Sequence, residues 1–238
     1  MSDNRITIAV QCHLYQQRLS WQLSSLVGQP VVVDVAHVPK NGIPTCEQLI
    51  RFFRRKKDLD VTGYWYRDET RLSIRGLVRN DQLARCKTPF LLFADADVVY
   101  SPDFFAKLLK ELDPAYPGIW ISGRMTMPVD TGEKLVASQV GLLVPDAYAR
   151  TKGYATIKKR PSGAGFFQLI HMQSCKHGGV YVPPKRCRDW AWTNRGRPNT
   201  HSDKDFRQRI GLLRALPAWV MYEQVHLNHG SRRPDVQK

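Results

Sequence analysis

Acidic residues are scarce in this chain. It carries 21 Asp and Glu against 36 Lys and Arg, for a formal net charge of +15 and a pI near 9.8. The imbalance predicts acidic partners: phosphates, nucleic acid or an anionic membrane face, with charge alone not choosing among them. Paired cysteine motifs are missing. Cysteines stand at 12, 46, 86, 175 and 187, an odd number with no C-x-x-C spacing, which reads as free thiols in a reducing compartment. Cys175 with His177 could start a metal site, but no second Cys/His pair completes it. No apolar run approaches the ~18 residues of a membrane helix. The best runs, Pro89 to Ala94 and Leu216 to Tyr222, are strand-length, and Met1 to Arg5 shows no signal-peptide pattern. The expectation is a soluble, cytoplasmic protein. There is no internal repeat. A hydrophobic fraction of 42% with 24% charged residues excludes a disordered or collagen-like chain, and 238 residues can bury a substantial core.

The first half alternates strand and helix. Ile6 to Gln11 reads as a buried strand, and Tyr15 to Val27 as an amphipathic helix through Leu19, Leu23 and Leu26, broken by Gln29-Pro30. The β-branched run Val31 to Val35 is a second strand. Asn41-Gly42 and Pro44 mark a loop, after which Thr45 can cap a helix from Cys46 to Lys57. Asp60 to Tyr66 reads as a third strand and Glu69 to Cys86 as one helix. Pro89 to Ala94 is apolar on both faces, as at the centre of a covered, mostly parallel sheet. This order predicts an α/β doubly wound architecture. Beyond about residue 115 the pattern loosens. Short strands are expected at Gly118 to Ser122 and Leu135 to Val144, a helix at Asp203 to Leu213 and a strand at Ala218 to His226. The organisation expected is a single domain over 1–238, with a nucleotide-binding lobe (1–115) and an acceptor-side lobe (116–238).

The strongest chemical signal is Asp95-Ala96-Asp97 at the end of the fourth strand. In an extended chain, residues two apart project to one face about 6–7 Å apart, so both carboxylates need something positive between them. They also sit at the carboxyl end of a central strand, where α/β sheets bind ligands. A divalent cation shared with phosphate oxygens meets both conditions. A helix cap does not, because Ser101-Pro102 can start the next helix. Val225-His226-Leu227-Asn228-His229 offers imidazoles that suit Mn²⁺ beside carboxylates, or a plain surface pair. Ser202-Asp203-Lys204-Asp205 enters a helix, where the dipole alone explains two acids, or where one serves as a general base. Arg79-Asn80 could fork onto phosphate or lie on a solvated helix face. Gly163-Ala164-Gly165 lacks the third glycine of a dinucleotide fingerprint and fits a plain turn or close backbone approach to a sugar. The basic run Arg51, Arg54, Arg55, Lys56 and Lys57 suits an exposed helix end, an acidic acceptor or a membrane surface.

With these residues in hand, the chain resembles the family 2 type of glycosyltransferases with the GT-A fold. The specific stretch is RNDQLARCKTPFLLFADADVVYSPDF, from Arg79 to Phe104, which is similar to the family's Arg-Asn, apolar strand, Asp-x-Asp and Pro-x-Phe pattern. The first strand and helix resemble the family without its usual Pro and Asn; Asp34 matches the Asp of its second strand, and GAGFFQLI its acceptor-side segment. The resemblance implies a nucleotide diphosphate sugar donor bound by Gln11, Asp34, Arg79, Asn80 and Asp95. It implies Mn²⁺ or Mg²⁺ on Asp97 with His226, or with His229 as the alternative. Gly163, Ala164 and Gly165 would line the acceptor side, and Asp203 would take the acceptor proton, giving inversion. The acceptor is unspecified: glycan, lipid-linked or protein. The absence of a Gln-x-x-Arg-Trp motif argues against a processive polysaccharide synthase. The excess positive charge hints at an acidic acceptor or peripheral contact with an anionic membrane. A nucleotidyltransferase would need a glycine-rich loop after the first strand, whereas Cys12 to Gln16 has no glycine. A nucleic-acid-binding protein would have no use for Asp95 and Asp97, and no RNA-binding signature is present, so nucleic acid is not expected.

Overall fold

The computed structural model describes residues 4–38, 44–67, 69–115, 117–157, 167–175, 206–207, 210 and 213–228. At its centre, β4 (Phe90–Asp95) runs parallel to β1 (Ile6–Cys12), which runs parallel to β2 (Val31–His37), which in turn runs parallel to β3 (Val61–Trp65). On the other side of β4 lies β9 (Phe167–His171), antiparallel to it, followed by β6 (Ile119–Ile121) and β10 (Leu213–Ala215). The result is a seven-stranded, mostly parallel sheet of order β10-β6-β9-β4-β1-β2-β3. As its unbroken apolar run demands, β4 is central: Phe90, Leu91, Leu92 and Phe93 are all buried. Each such side chain contributes about 1.5–3 kcal/mol of transfer free energy.

Helix α1 (Gln16–Leu26) buries Leu19, Trp21, Leu23 and Leu26, and α2 (Cys46–Lys56) buries Cys46, Leu49, Ile50 and Phe53. Thr45 closes a capping box at the start of α2: its hydroxyl accepts from the Gln48 N–H at 3.2 Å, and its own N–H donates to Gln48 Oε1 at 2.9 Å. Glu47 at one end and Arg54, Arg55 and Lys56 at the other match the helix dipole.

A second sheet of four short strands decides where the site forms. Its order is β5 (Val98–Tyr100), β11 (Gln224–His226), β7 (Met125–Thr126) and β8 (Thr156–Ile157). β5 follows β4 after a two-residue turn and pairs antiparallel with β11, placing Val98 opposite His226.

Several expectations need correction. The helix expected over Glu69 to Cys86 is two helices, α3 (Glu69–Ser73) and α4 (Arg75–Arg85), because Ile74 leaves helical geometry at ψ 82. The strand expected at Leu135 to Val144 is instead the end of α6 (Val129–Ala137) and a loop. Gly132 and Val136 lie on its buried face, a spacing of four that belongs to a helix. The run Ala218 to His226 divides into a short helix α8 (Trp219–Tyr222) and β11, with Pro217 accepting from the Val220 N–H at 3.1 Å to start the helical turn. The helix expected to reach Leu213 ends before it, since Leu213 opens β10. Ser101 does not cap α5 (Phe104–Glu111). Its hydroxyl donates to Glu223 Oε2 at 2.7 Å, and Asp103 precedes the helix at φ 61 with no capping side-chain bond. Helix α7 (Ala147–Lys152), packed against β5 and β11, was not foreseen in the sequence.

Candidate active site

A cavity of about 440 Å³ opens at the carboxyl ends of β1 and β4. Ala9, Ala94 and Ala96 line it, and their small side chains leave the space; Gln11, His13, Tyr15, Arg75, Arg79, Gln82, Asp95, Asp97, Arg124 and His226 supply its polar wall. Three guanidinium groups thus face two carboxylates in one pocket.

Each carboxylate lies close to side chains brought in from other elements. Asp97 Oδ2 lies 3.0 Å from His226 Nε2, with both side chains largely buried. The main chain enforces this meeting. The Leu227 N–H donates to the Asp97 carbonyl at 2.8 Å, extending the β5–β11 ladder into the turn. Asp95 lies 3.3 Å from Arg124 and 3.9 Å from Arg75, and its carbonyl accepts from Gln22 Nε2 at 2.7 Å. The Arg79 side chain is buried, with its guanidinium 4.7 Å from the centre of the Phe93 ring.

The turn between β1 and α1 also shapes the wall. Leu14 adopts φ 62, a left-handed conformation that costs a branched residue roughly 1–2 kcal/mol. Its neighbours His13 and Tyr15 line the cavity. Burial and the negative charge of Asp97 push the Tyr15 phenol upward, against the opposing pull of Arg18.

Gln11 reaches the cavity and donates its amide to the Leu72 carbonyl. Asp34 and Asn80 are not among its lining residues. Arg85 grips both Asp34 oxygens, at 2.9 and 3.0 Å, and stacks at 3.7 Å over the Tyr64 ring; Gln82 Nε2 adds a contact at 3.3 Å. Asp34 therefore tethers α4 to β2 in this structure. Asp203, Gly163, Ala164, Gly165 and His229 lie outside the described residues. So does His177, while the Cys175 thiol is pushed up to about 11 by burial.

Sequence reasoning missed Arg75, Arg124, His13 and Tyr15. Arg75 stands one helical turn before Arg79, a spacing that puts both on one face and could have been noticed. Arg124 carries no local signal.

Among the described residues no three His, Cys, Asp or Glu side chains gather as a metal cage. Asp97 and His226 offer one carboxylate and one imidazole on the cavity wall. That donor set suits Mn²⁺ or Mg²⁺ when substrate oxygens and water complete the shell.

No protein-family model matches the chain, and no curated protein matches it. Solved structures do. TarS 1-349 of S. aureus superposes with a TM-score of 0.56 at 14% identity, covering 89% of this chain and 58% of that one. The same protein in complex with UDP-GlcNAc gives 0.57 at 13% identity, covering 89% and 56%. The glycosyltransferase GlyE of Streptococcus pneumoniae TIGR4 gives 0.53 at 11% identity, covering 98% and 56%. The chain shares their fold and spans a little over half the length of each.

Proposed function

We propose that this protein is a glycosyltransferase that moves a sugar from a nucleoside diphosphate sugar to an acceptor hydroxyl, on a GT-A-type, doubly wound framework. In this reading residues 1–115 hold the nucleotide and residues 116–238 shape the acceptor side. One observation carries the reading: Asp95, Asp97 and His226 meet Arg75, Arg79 and Arg124 around one cavity at the carboxyl edge of the sheet. A pyrophosphate is the ligand that such a mixture of guanidinium and metal-binding groups suits. The neighbour structures with UDP-GlcNAc and with UDP support a uridine diphosphate donor as the first class to try.

The chemistry follows from charge. As the bond between the anomeric carbon and the diphosphate breaks, negative charge grows on the departing phosphate. Arg79, with Arg75 and Arg124, stands ready to stabilise it. Asp97 and His226 would hold Mn²⁺ or Mg²⁺, an ion that supplies further neutralisation of the diphosphate. The acceptor oxygen bonds to the anomeric carbon from the opposite side, giving inversion, and its proton passes to a carboxylate. Asp203 is the base in this reading, from its sequence match. Asp95, set between Arg75 and Arg124, orients those guanidinium groups at the cavity and would reach the ribose or the ion's water.

Donor hydrolysis, followed as release of the nucleoside diphosphate across a panel of UDP- and GDP-sugars with Mn²⁺, tests the reading. Asp97→Ala and the isosteric Asp97→Asn should each lower turnover by about 100-fold or more while thermal unfolding still shows a cooperative native state. Full turnover by both variants with every donor that the native protein hydrolyses refutes the assignment.

A further inference from the structure

A second cleft of about 670 Å³, sharing no lining residue with the first, runs along the outer face of α2. Gln48, Arg51, Phe52, Arg55 and Lys56 form one wall, at the i, i+3, i+4, i+7 and i+8 positions that share a helix face. Leu142 and Gly141, from the loop after α6, face them, and Pro44 and Gln17 close the ends. Three cations and no acid line it among the described residues. The basic run is therefore more than a solvated helix end. Arg51, Arg55 and Lys56 expose their side chains beside an apolar wall of Phe52, Leu142 and Pro44. Between the lining residues Gln139 and Gly141, the apolar side chain of Val140 is 92% exposed.

We infer that this cleft binds anionic phospholipid at a bilayer surface, with headgroup phosphate on Arg51, Arg55 and Lys56 and the upper acyl region against Phe52, Leu142 and Val140. Charge complementarity argues for the phosphate, because guanidinium forks match phosphate oxygens in pairs. The apolar wall argues for a lipid rather than a free ion, since inorganic phosphate would leave it wet. Arginine and lysine stems can lie along acyl chains while their heads stay at the headgroup level. Nucleic acid fits less well. It favours a track of exposed stacking surfaces, and Phe52, the single aromatic here, is half-buried and packs edge-on at 5.2 Å against Phe53. The two cavities flank the start of α1, with Tyr15 on one and Gln17 on the other. A bilayer seated on α2 would thus lie close to the proposed sugar-transfer site, but binding does not depend on that reading.

Vesicle flotation with the full chain tests it, comparing phosphatidylglycerol–phosphatidylcholine vesicles with pure phosphatidylcholine. Binding is expected to the anionic vesicles only. Arg51→Glu with Arg55→Glu should weaken it at least about tenfold, and Val140→Asp alone should weaken it severalfold. Arg51→Gln with Arg55→Gln gives the same test with less strain on the helix, each variant being matched by its urea midpoint. Lys87→Glu with Lys110→Glu makes an equal change in net charge at exposed positions elsewhere and should bind as the native chain does. Asp97→Ala should also bind normally, which separates this result from the catalytic one. Equal losses in the Lys87/Lys110 variant would reduce the effect to bulk charge and overturn the site. So would unchanged binding in the Arg51/Arg55 variants, or single-stranded RNA binding that depends on those two arginines as strongly as vesicle binding does.

Discussion

Arg85→Met is the perturbation whose cost the structure allows to be worked out. It keeps the aliphatic stem and removes the guanidinium, which both holds the two Asp34 oxygens and stacks over the Tyr64 ring. The Asp34 side chain is 9% exposed, so its carboxyl would be left nearly dry, with Gln82 Nε2 at 3.3 Å as its remaining partner among these contacts. Breaking a fully buried ion pair from one side costs about 3–5 kcal/mol. Here the Arg85 side chain is 24% exposed, so water can reach part of the vacated space. The expected loss is about 2–3 kcal/mol, or roughly 5–10 °C in Tm for a chain of this length. Asp34→Asn removes the charge that needs a partner. The double variant should therefore be more stable than the sum of the singles, by about 1–3 kcal/mol. Urea unfolding of the four proteins, with unchanged m values, measures this. A loss below about 0.5 kcal/mol for Arg85→Met, or no coupling in the cycle, would refute the view that Asp34 is a structural anchor. So would a rise of tenfold or more in donor KM for Asp34→Asn, since that result would return Asp34 to the donor site.

Two further expectations concern backbone packing and pH. A Cβ at Gly132 would sit 2.6 Å from the Asn228 carbonyl oxygen, two residues beyond His226; Gly132→Ala should cost about 1–3 kcal/mol and weaken donor turnover by shifting His226, whereas unchanged stability and turnover would show that the segment gives way freely. Burial lowers the His37 pKa below its ordinary 6.5, outweighing the raising effects of the Val38 carbonyl and Glu47, so the unfolded chain binds the extra proton first. Stability is therefore full above pH 6.5 and falls as pH drops towards the depressed folded value. Melts between about pH 7.5 and about pH 5.5 should show a shallower decline for His37→Gln than for the native chain, and equal slopes would remove His37 as a source.

The elements that could be read locally were those with a strong period or a cap. β1, β2 and β4 were legible because each is a short apolar or β-branched run, and α2 because Thr45 and Gln48 close a box within four residues. Where local patterns conflict, reading failed. Leu135 to Val144 looks strand-like in composition, yet α6 begins upstream and places Gly132 against the Asn228 backbone. Pro217 and the tertiary pairing of β11 with β5 cut a single apolar run into helix and strand. The Asp95–Asp97 pair was visible as a motif, and the resemblance grouped Gln11, Arg79 and His226 with it, but Arg75 and Arg124 were not foreseen.

The sequence alone determined that a mostly parallel sheet would form, that a carboxylate pair would stand at the tip of its central strand, and that the molecule would be strongly basic. These follow from periodicity, capping and composition, which act within a few residues. Only the tertiary structure decided that Asp97 meets His226, 129 residues away, that Arg124 reaches Asp95 across 29 residues, and that Asp34 is taken by Arg85. Each is a polar pairing set by the crossing of distant strands and helices. Such a pairing leaves no period in the chain, because its energy depends on a separation in space that only the assembled core fixes.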